Sequence, residues 1–211
     1  MYLPSLFAES QPEELRRIIR EHPLGTMVTN TVSGLEANHL PFVLDDSRRV
    51  PGSLLAHVAR TNTIWREVRD GDPVLVVFRG AQGYISPNWY LSKQETHRHV
   101  PTWNYEVVHV HGRISIHDSE PFVRGVVGRL TRQQEKSLPV PWKMGDAPPD
   151  YLAEELTHIV GLEIEITRLE GKRKLSQNRE PRDFASTVGA LEKCGNLELA
   201  EAMRRVRPEG A

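Results

Sequence analysis

The spacing of apolar positions changes period several times along the chain. Leu15, Ile18 and Ile19 form one helical face, and Ser10-Gln-Pro-Glu13 ahead of them has capping-box spacing, with Pro12 acceptable in a first turn. A helix is predicted to run to about Glu21, where His22-Pro23 ends it. Residues 24–30 are rich in β-formers, Ser33-Gly34 makes a turn, and residues 35–45 return as a hairpin partner. In that second strand Leu40, Phe42 and Leu44 share one face and His39, Pro41 and Val43 the other, with Pro41 marking an edge or a bulge.

Residues 53–58 form another short strand, followed by Arg60-Thr-Asn62 and a short helix over 63–69. Residues 73–79 are an almost continuous apolar run, the mark of a strand buried on both faces. Residues 104–118 alternate: Val108, Val110, Ile114 and Ile116 point one way, and Val107, His109, His111, Arg113 and His117 the other. A helix over 121–134, a Pro-rich ordered loop over 138–150, a helix over 151–159 and a strand over 161–169 with Leu162, Ile164 and Ile166 inward complete this part. From Pro181 two short helices are broken at Cys194-Gly-Asn196. Six or seven antiparallel strands without regular strand–helix alternation imply a mainly β fold, a barrel with peripheral helices, and disfavour a parallel nucleotide-binding sheet. Residues 1–179 are expected to form this barrel, and residues 180–211 a C-terminal helical extension packed on it.

Composition narrows the picture without specifying a partner. The chain has 211 residues, 38% hydrophobic and 26% charged, with a formal charge of −1, so no global attraction to nucleic acid or anionic lipid is expected. A local basic patch remains open. Cys194 stands alone and cannot form an internal disulfide, which suits a reducing cytoplasm. The first residues carry neither a basic n-region nor a long apolar run, so a cytoplasmic protein without a membrane span is expected.

Four constellations could carry chemistry. His97 and His99, and His109 and His111, are spaced to share a face of extended chain. Arg98 and Arg113 oppose a cation there, and no dedicated metal site is expected. His57, Arg60 and Asn62 stand where a strand turns into a helix; they suit either a phosphate held by charge-assisted hydrogen bonds or a simple capping turn. Lys172-Arg-Lys174-Leu-Ser176-Gln-Asn178-Arg179 is the most basic stretch, an anion site or a solvated loop. Trp89, Trp103 and Tyr105, with Asn104 and Ser86 as polar neighbours, would suit a planar heteroaromatic cofactor, or else fill a barrel end or subunit interface. The C-terminal pair has helix-turn-helix lengths. Its second helix carries Glu198 and Glu201 where a DNA reader is basic, with Arg204, Arg205 and Arg207 at the far end, so a packed hairpin is expected and the charge pattern does not support DNA contact. No residue pair stands out as general acid and base, so catalytic residues are not named and enzymatic activity stays open.

The blocks "MYLPSLFAE", "HPLGTMVT", "ANHLPFVLD", "AHVARTN", "VLVVFRGAQGYISPNWY", "VPTWNYEVVHVHG", "PWKMGDAPPDY" and "IVGLEIEITRLEGKRKLSQNR" closely resemble the PaiB-type family of FMN-binding negative transcriptional regulators. The resemblance implies a split β-barrel of the pyridoxamine-phosphate-oxidase-like type, a homodimer with a planar cofactor at the subunit interface, and a regulatory role in redox or metabolite sensing. The family also resembles haem-dependent piperazate synthases. The alternatives are therefore a haem-binding enzyme of the same fold acting in N–N bond formation, or a flavin-dependent oxidoreductase. For FMN, the resemblance puts His57, Arg60 and Asn62 near the phosphate, Lys174, Ser176 and Gln177 as further polar contacts, and Trp89, Trp103 and Tyr105 as walls. For haem b, His57 is the first axial candidate and His39 the second.

Overall fold

The computed structural model describes residues 1–47 and 51–206. In chain order the elements are β1 (Ala8–Glu9), α1 (Pro12–Glu21), β2 (Leu24–Thr31), β3 (Gly34–Pro41), β4 (Val43–Asp45), β5 (Ser53–Ala59), α2 (Ile64–Glu67), β6 (Pro73–Ile85), α3 (Lys93–Thr96), β7 (Thr102–His117), α4 (Glu120–Glu135), α5 (Pro149–Thr157), β8 (Ile159–Lys174), α6 (Pro181–Lys193) and α7 (Leu197–Arg204). The strands form one sheet in the order β3-β2-β6-β7-β8-β5-β4, with β1 added against β8. The pairs β1–β8, β2–β3, β2–β6, β4–β5 and β5–β8 are antiparallel.

Three strands differ most from the pattern read in the sequence. The expected strand over 35–45 is two strands: Phe42 still donates to the Pro23 carbonyl at 2.8 Å, in register with the β2–β3 ladder, but Pro23 has no N–H to return the bond, and from Val43 the chain pairs with β5 instead. β6 continues to Ile85 through a Gly-rich stretch, where Gly83 runs so close to the C-terminal helices that an added Cβ would lie 2.8 Å from Asn196 Nδ2. β8 continues to Lys174 through Glu170, Lys172 and Arg173, whose charges conceal the strand from a hydropathy reading. The Lys172–Arg179 stretch is therefore not a solvated loop: Lys172, Arg173, Ser176 and Gln177 are all buried.

The chain divides into two compact units. One comprises Met1–Ile18, Arg79–Val108 and the described residues from Glu170; the other comprises Ile19–Phe78 and His109–Leu169. The first has a core in which Tyr90, Leu175, Phe184, Leu191, Leu199 and Met203 meet, so the inner faces of α6 and α7 are apolar ridges against the ends of β6 and β8. Asn196 joins these elements: its Oδ1 accepts from the Leu199 amide at 3.2 Å, capping α7, and its Nδ2 donates to the Gln82 carbonyl at 3.2 Å. In the second unit Phe42 meets Phe78 edge to face, ring centroids 5.7 Å apart. There α4 lays Val126 and Leu130 on Val43 and Leu55. No helix among the described residues is long and apolar enough to cross a membrane.

Candidate cofactor-binding site

Six of the nine proposed cofactor contacts, Trp89, Trp103, Tyr105, Lys174, Ser176 and Gln177, belong to the first unit; His57, Arg60 and Asn62 belong to the second. In the first unit the arrangement begins with strand alternation. Lys172 and Lys174 leave β8 on one side and Arg173 on the other. Arg173 is 4% exposed and fully neutralised: Nε donates to Glu106 Oε1 at 2.8 Å, and Nη1 lies 3.2 Å from carboxylate oxygens of both Glu9 and Glu14. Lys172 and Lys174 have no such partner among the described residues. The Lys172 ammonium donates to the Tyr2 carbonyl at 3.2 Å and lies 5.3 Å and 5.5 Å from the ring centroids of Tyr2 and Tyr105. That of Lys174 donates to Thr102 Oγ1 and to the Trp103 carbonyl, the latter at 2.7 Å.

Beyond Lys174 the chain turns sharply. Ser176 adopts φ 67°, a left-handed conformation unusual for a residue with a Cβ. The turn is held from two sides. Asn104 Nδ2 donates to Ser176 Oγ at 2.9 Å, while Gln177 accepts from the Leu175 amide at 2.7 Å and donates to the Arg173 carbonyl at 2.6 Å. Gln177 and Ser176 thus shape the corner, and their polar atoms are engaged within it. The corner delivers Arg179, whose guanidinium lies 4.7 Å from the Tyr90 ring centroid. Burial and the neighbouring Lys172 and Arg179 lower the pKa of Lys174 from the usual lysine value.

The aromatic residues separate into filler and surface. Tyr90 is 1% exposed and Trp89 packs against the same core, so this cluster is largely structural. Trp103 is 50% exposed and Tyr84 48%. Ser86 accepts from the Asn88 amide at 3.2 Å, a turn bond. Nearby, Ser92, His99 and Asp183 resemble a nucleophile constellation in composition only. Ser92 Oγ donates to Asp183 Oδ2 at 2.5 Å and stands 2.8 Å from His99 Nε2, so its proton points away from the imidazole that would have to remove it. Ser92 is also 3% exposed, and the three tie the loop after β6 to α6.

In the second unit, the His57–Asn62 segment makes the bonds of a capping turn. Asn62 Oδ1 accepts from the Ile64 amide at 3.0 Å, and its Nδ2 donates to Asn38 at 2.7 Å. Arg60 is partly exposed yet held in place: it grips both carboxylate oxygens of Asp118 at 2.8 Å and 2.5 Å, and donates to the Thr157 carbonyl at 2.6 Å. His57 is half-buried and its Nδ1 is a buried atom without a hydrogen-bond partner; burial lowers its pKa, favouring the neutral imidazole. His39 Nδ1 lies 3.0 Å from Thr26 Oγ1 across the β2–β3 hairpin. The same unit contains a cavity of about 530 Å³ that none of the expected site residues lines. Leu55, Phe122 and Val126 form its apolar part, and the ion pair of Arg129 with Asp45 stands in its wall.

The model of the family described as "Putative FMN-binding domain" matches residues 1–168. The chain is 32% identical over 210 residues, covering 96% of both chains, to the protease synthase and sporulation protein PAI 2 of Bacillus subtilis. It is 30% identical over 240 residues, covering 92% of both, to an uncharacterised protein of Aspergillus fumigatus. Among solved structures it is similar to the flavocytochrome Anf3 of Azotobacter vinelandii (TM-score 0.60, 12% identity, 85% of this chain and 75% of that one). It is also similar to an FAD and haem binding protein of Mycobacterium smegmatis (TM-score 0.58, 16% identity, 85% and 79%). The fold is that of the flavin-type split β-barrels, an antiparallel sheet of eight strands with helices around it. Within that class, the chain belongs to the PaiB-type FMN-binding family.

Proposed function

We propose that this protein binds FMN and acts as a PaiB-like regulator that senses a redox state or a metabolite, working as a cytoplasmic homodimer with the cofactor at the subunit interface. The observation that carries the reading is at Trp103: a half-exposed indole whose own backbone carbonyl holds the Lys174 ammonium at 2.7 Å. An open aromatic face beside a cation without a carboxylate partner among the described residues suits a flat ring system bearing an anionic arm. Membership of an FMN-binding family and the Bacillus relative support the same choice. Bound FMN would supply reversible electron transfer; Trp103 and Tyr105 would flank its ring and Lys174 its anionic arm. The haem alternative has one feature behind it, the unpartnered Nδ1 of His57, and is not preferred.

Regulation through direct DNA reading by α6 and α7 is not part of this proposal. Leu199, Ala200, Ala202 and Met203 turn much of α7 into the core, and Arg204 pairs with Glu192. The test is titration of purified protein with FMN, followed by flavin fluorescence and absorbance, alongside Trp103→Ala. Saturable one-to-one uptake, weakened by the substitution, is expected; absence of uptake would reject the reading. Sedimentation of the FMN-loaded protein tests the dimer, and transcript profiling of a deletion strain tests the regulatory role.

A further inference from the structure

We infer that Lys172, Lys174 and Arg179 together form a phosphate-monoester site, built by the strand end and the corner at Ser176 and open towards Trp103. The inference rests on the FMN reading above in naming a source for the ester, and deepens it by assigning the group that recognises the phosphate.

Charge balance carries the argument. The first unit neutralises its other buried or clustered cations carefully: Arg173 has Glu106, Glu9 and Glu14, Arg17 has Glu14 and Glu106, and Arg182 has Glu95 and Glu180. Lys172, Lys174 and Arg179 lie within eight residues of one another, and no carboxylate among the described residues pairs with any of them. Their hydrogen-bond partners are neutral: two carbonyls, a hydroxyl and, for Arg179, His99 Nδ1 at 3.4 Å. Lys172 and Lys174 leave β8 on the same side, and the charges of Lys172 and Arg179 both act on Lys174; such a group without counter-charge costs Coulomb energy that a bound dianion would reverse.

Donor counting agrees. An ammonium has three N–H groups and a guanidinium five. Lys174 spends two of its three on Thr102 and Trp103, Lys172 one on Tyr2, and Arg179 one on His99. The remainder can serve the three terminal oxygens of a phosphate. The strained Ser176 has a purpose here. With φ 67° and its side chain pinned by Asn104, it reverses the chain immediately after Lys174, and the Arg179 amide closes the corner on the Ser176 carbonyl at 3.0 Å. A monoester is favoured over free phosphate because the adjoining surface is aromatic, with Trp103 half exposed.

FMN and riboflavin differ in this phosphate and therefore separate the inference from the FMN reading. Wild-type protein, Lys174→Gln and Arg179→Gln would each be titrated with both flavins, with circular dichroism as a check on folding. Wild type is expected to prefer FMN, and each substitution to weaken FMN roughly ten- to hundredfold while leaving riboflavin nearly unchanged. Inorganic phosphate should compete with FMN on wild type. Equal binding of the two flavins by wild type, or equal losses for both in Arg179→Gln, overturns the inference while leaving flavin binding intact. Should FMN not bind at all, direct calorimetric titration with inorganic phosphate decides. Binding to wild type that is lost in Arg179→Gln upholds an anion site for another phosphate ester, and no binding overturns it.

Discussion

Arg173 Nε donates to Glu106 Oε1 at 2.8 Å, and the two side chains are only 5% and 1% exposed. Arg17 Nη2 reaches the same oxygen at 3.0 Å, so one buried carboxylate on β7 ties the N-terminal helix α1 to the end of β8. Such a network offers little net gain over an apolar core when complete, yet losing one member leaves buried charge unpaired.

Glu106→Ala is therefore expected to destabilise the protein by about 3–5 kcal/mol, the scale found on breaking buried ion pairs. Glu106→Gln should cost less, because an amide oxygen can still accept from Arg173. Urea denaturation of the three proteins measures this; a loss below 1 kcal/mol for the alanine form would mean that water replaces the carboxylate.

The corner at Ser176 makes an unusual pair of substitutions informative. Ser176→Ala keeps the left-handed strain and strips Asn104 of its hydroxyl partner, with an expected loss of roughly 1–3 kcal/mol. Ser176→Gly loses the same hydroxyl but relieves the strain, so it should be more stable than the alanine form by about 1 kcal/mol. Thermal melts rank them, and the opposite order would show that strain is not stored there.

Stability should depend on His57 near neutral pH. Burial holds its folded-state pKa below the ordinary 6.5, so the folded form binds a proton less readily than the unfolded form. The contribution is fully present above the unfolded value and is lost progressively as pH falls from there towards the folded pKa. Melting temperatures of wild type and His57→Gln at pH 7.5 and pH 5 are expected to show a smaller drop for the variant; equal drops refute the assignment.

Gly112 on β7 is a packing constraint. A Cβ there would stand 2.4 Å from Ile164 Cγ2 and 2.6 Å from the Glu165 carbonyl oxygen. The carbonyl belongs to the ladder and cannot move aside cheaply, so Gly112→Ala should cost about 1–3 kcal/mol, as overpacking does. Chemical denaturation tests it.

The fold was largely legible because its buried strands are apolar and its turns carry their own punctuation. The period-two pattern at Val108 and Val110, the helical face of Leu15, Ile18 and Ile19, and the break at Cys194-Gly-Asn196 each reflect a local rule, and each has its element. Where the rule depends on a distant partner, the reading stopped short. Glu106 and Arg173 look polar in sequence, and only their meeting across β7 and β8 makes them core. In sequence the strand end therefore reads as a basic stretch, in which nothing separates Lys172 and Arg179 from Arg173.

By itself the sequence determined the antiparallel class, the number and order of most elements, and, through its motif blocks, the family. Those properties rest on local periodicity and on residue identities that need no neighbour in space. Only the tertiary structure decided which cations are spent and which remain unpaired. It joined Arg60 to Asp118 and Arg173 to Glu106, and among the described residues left Lys172, Lys174 and Arg179 without a carboxylate. A charge's availability depends on what lies a few ångströms away, and chain spacing does not encode that distance.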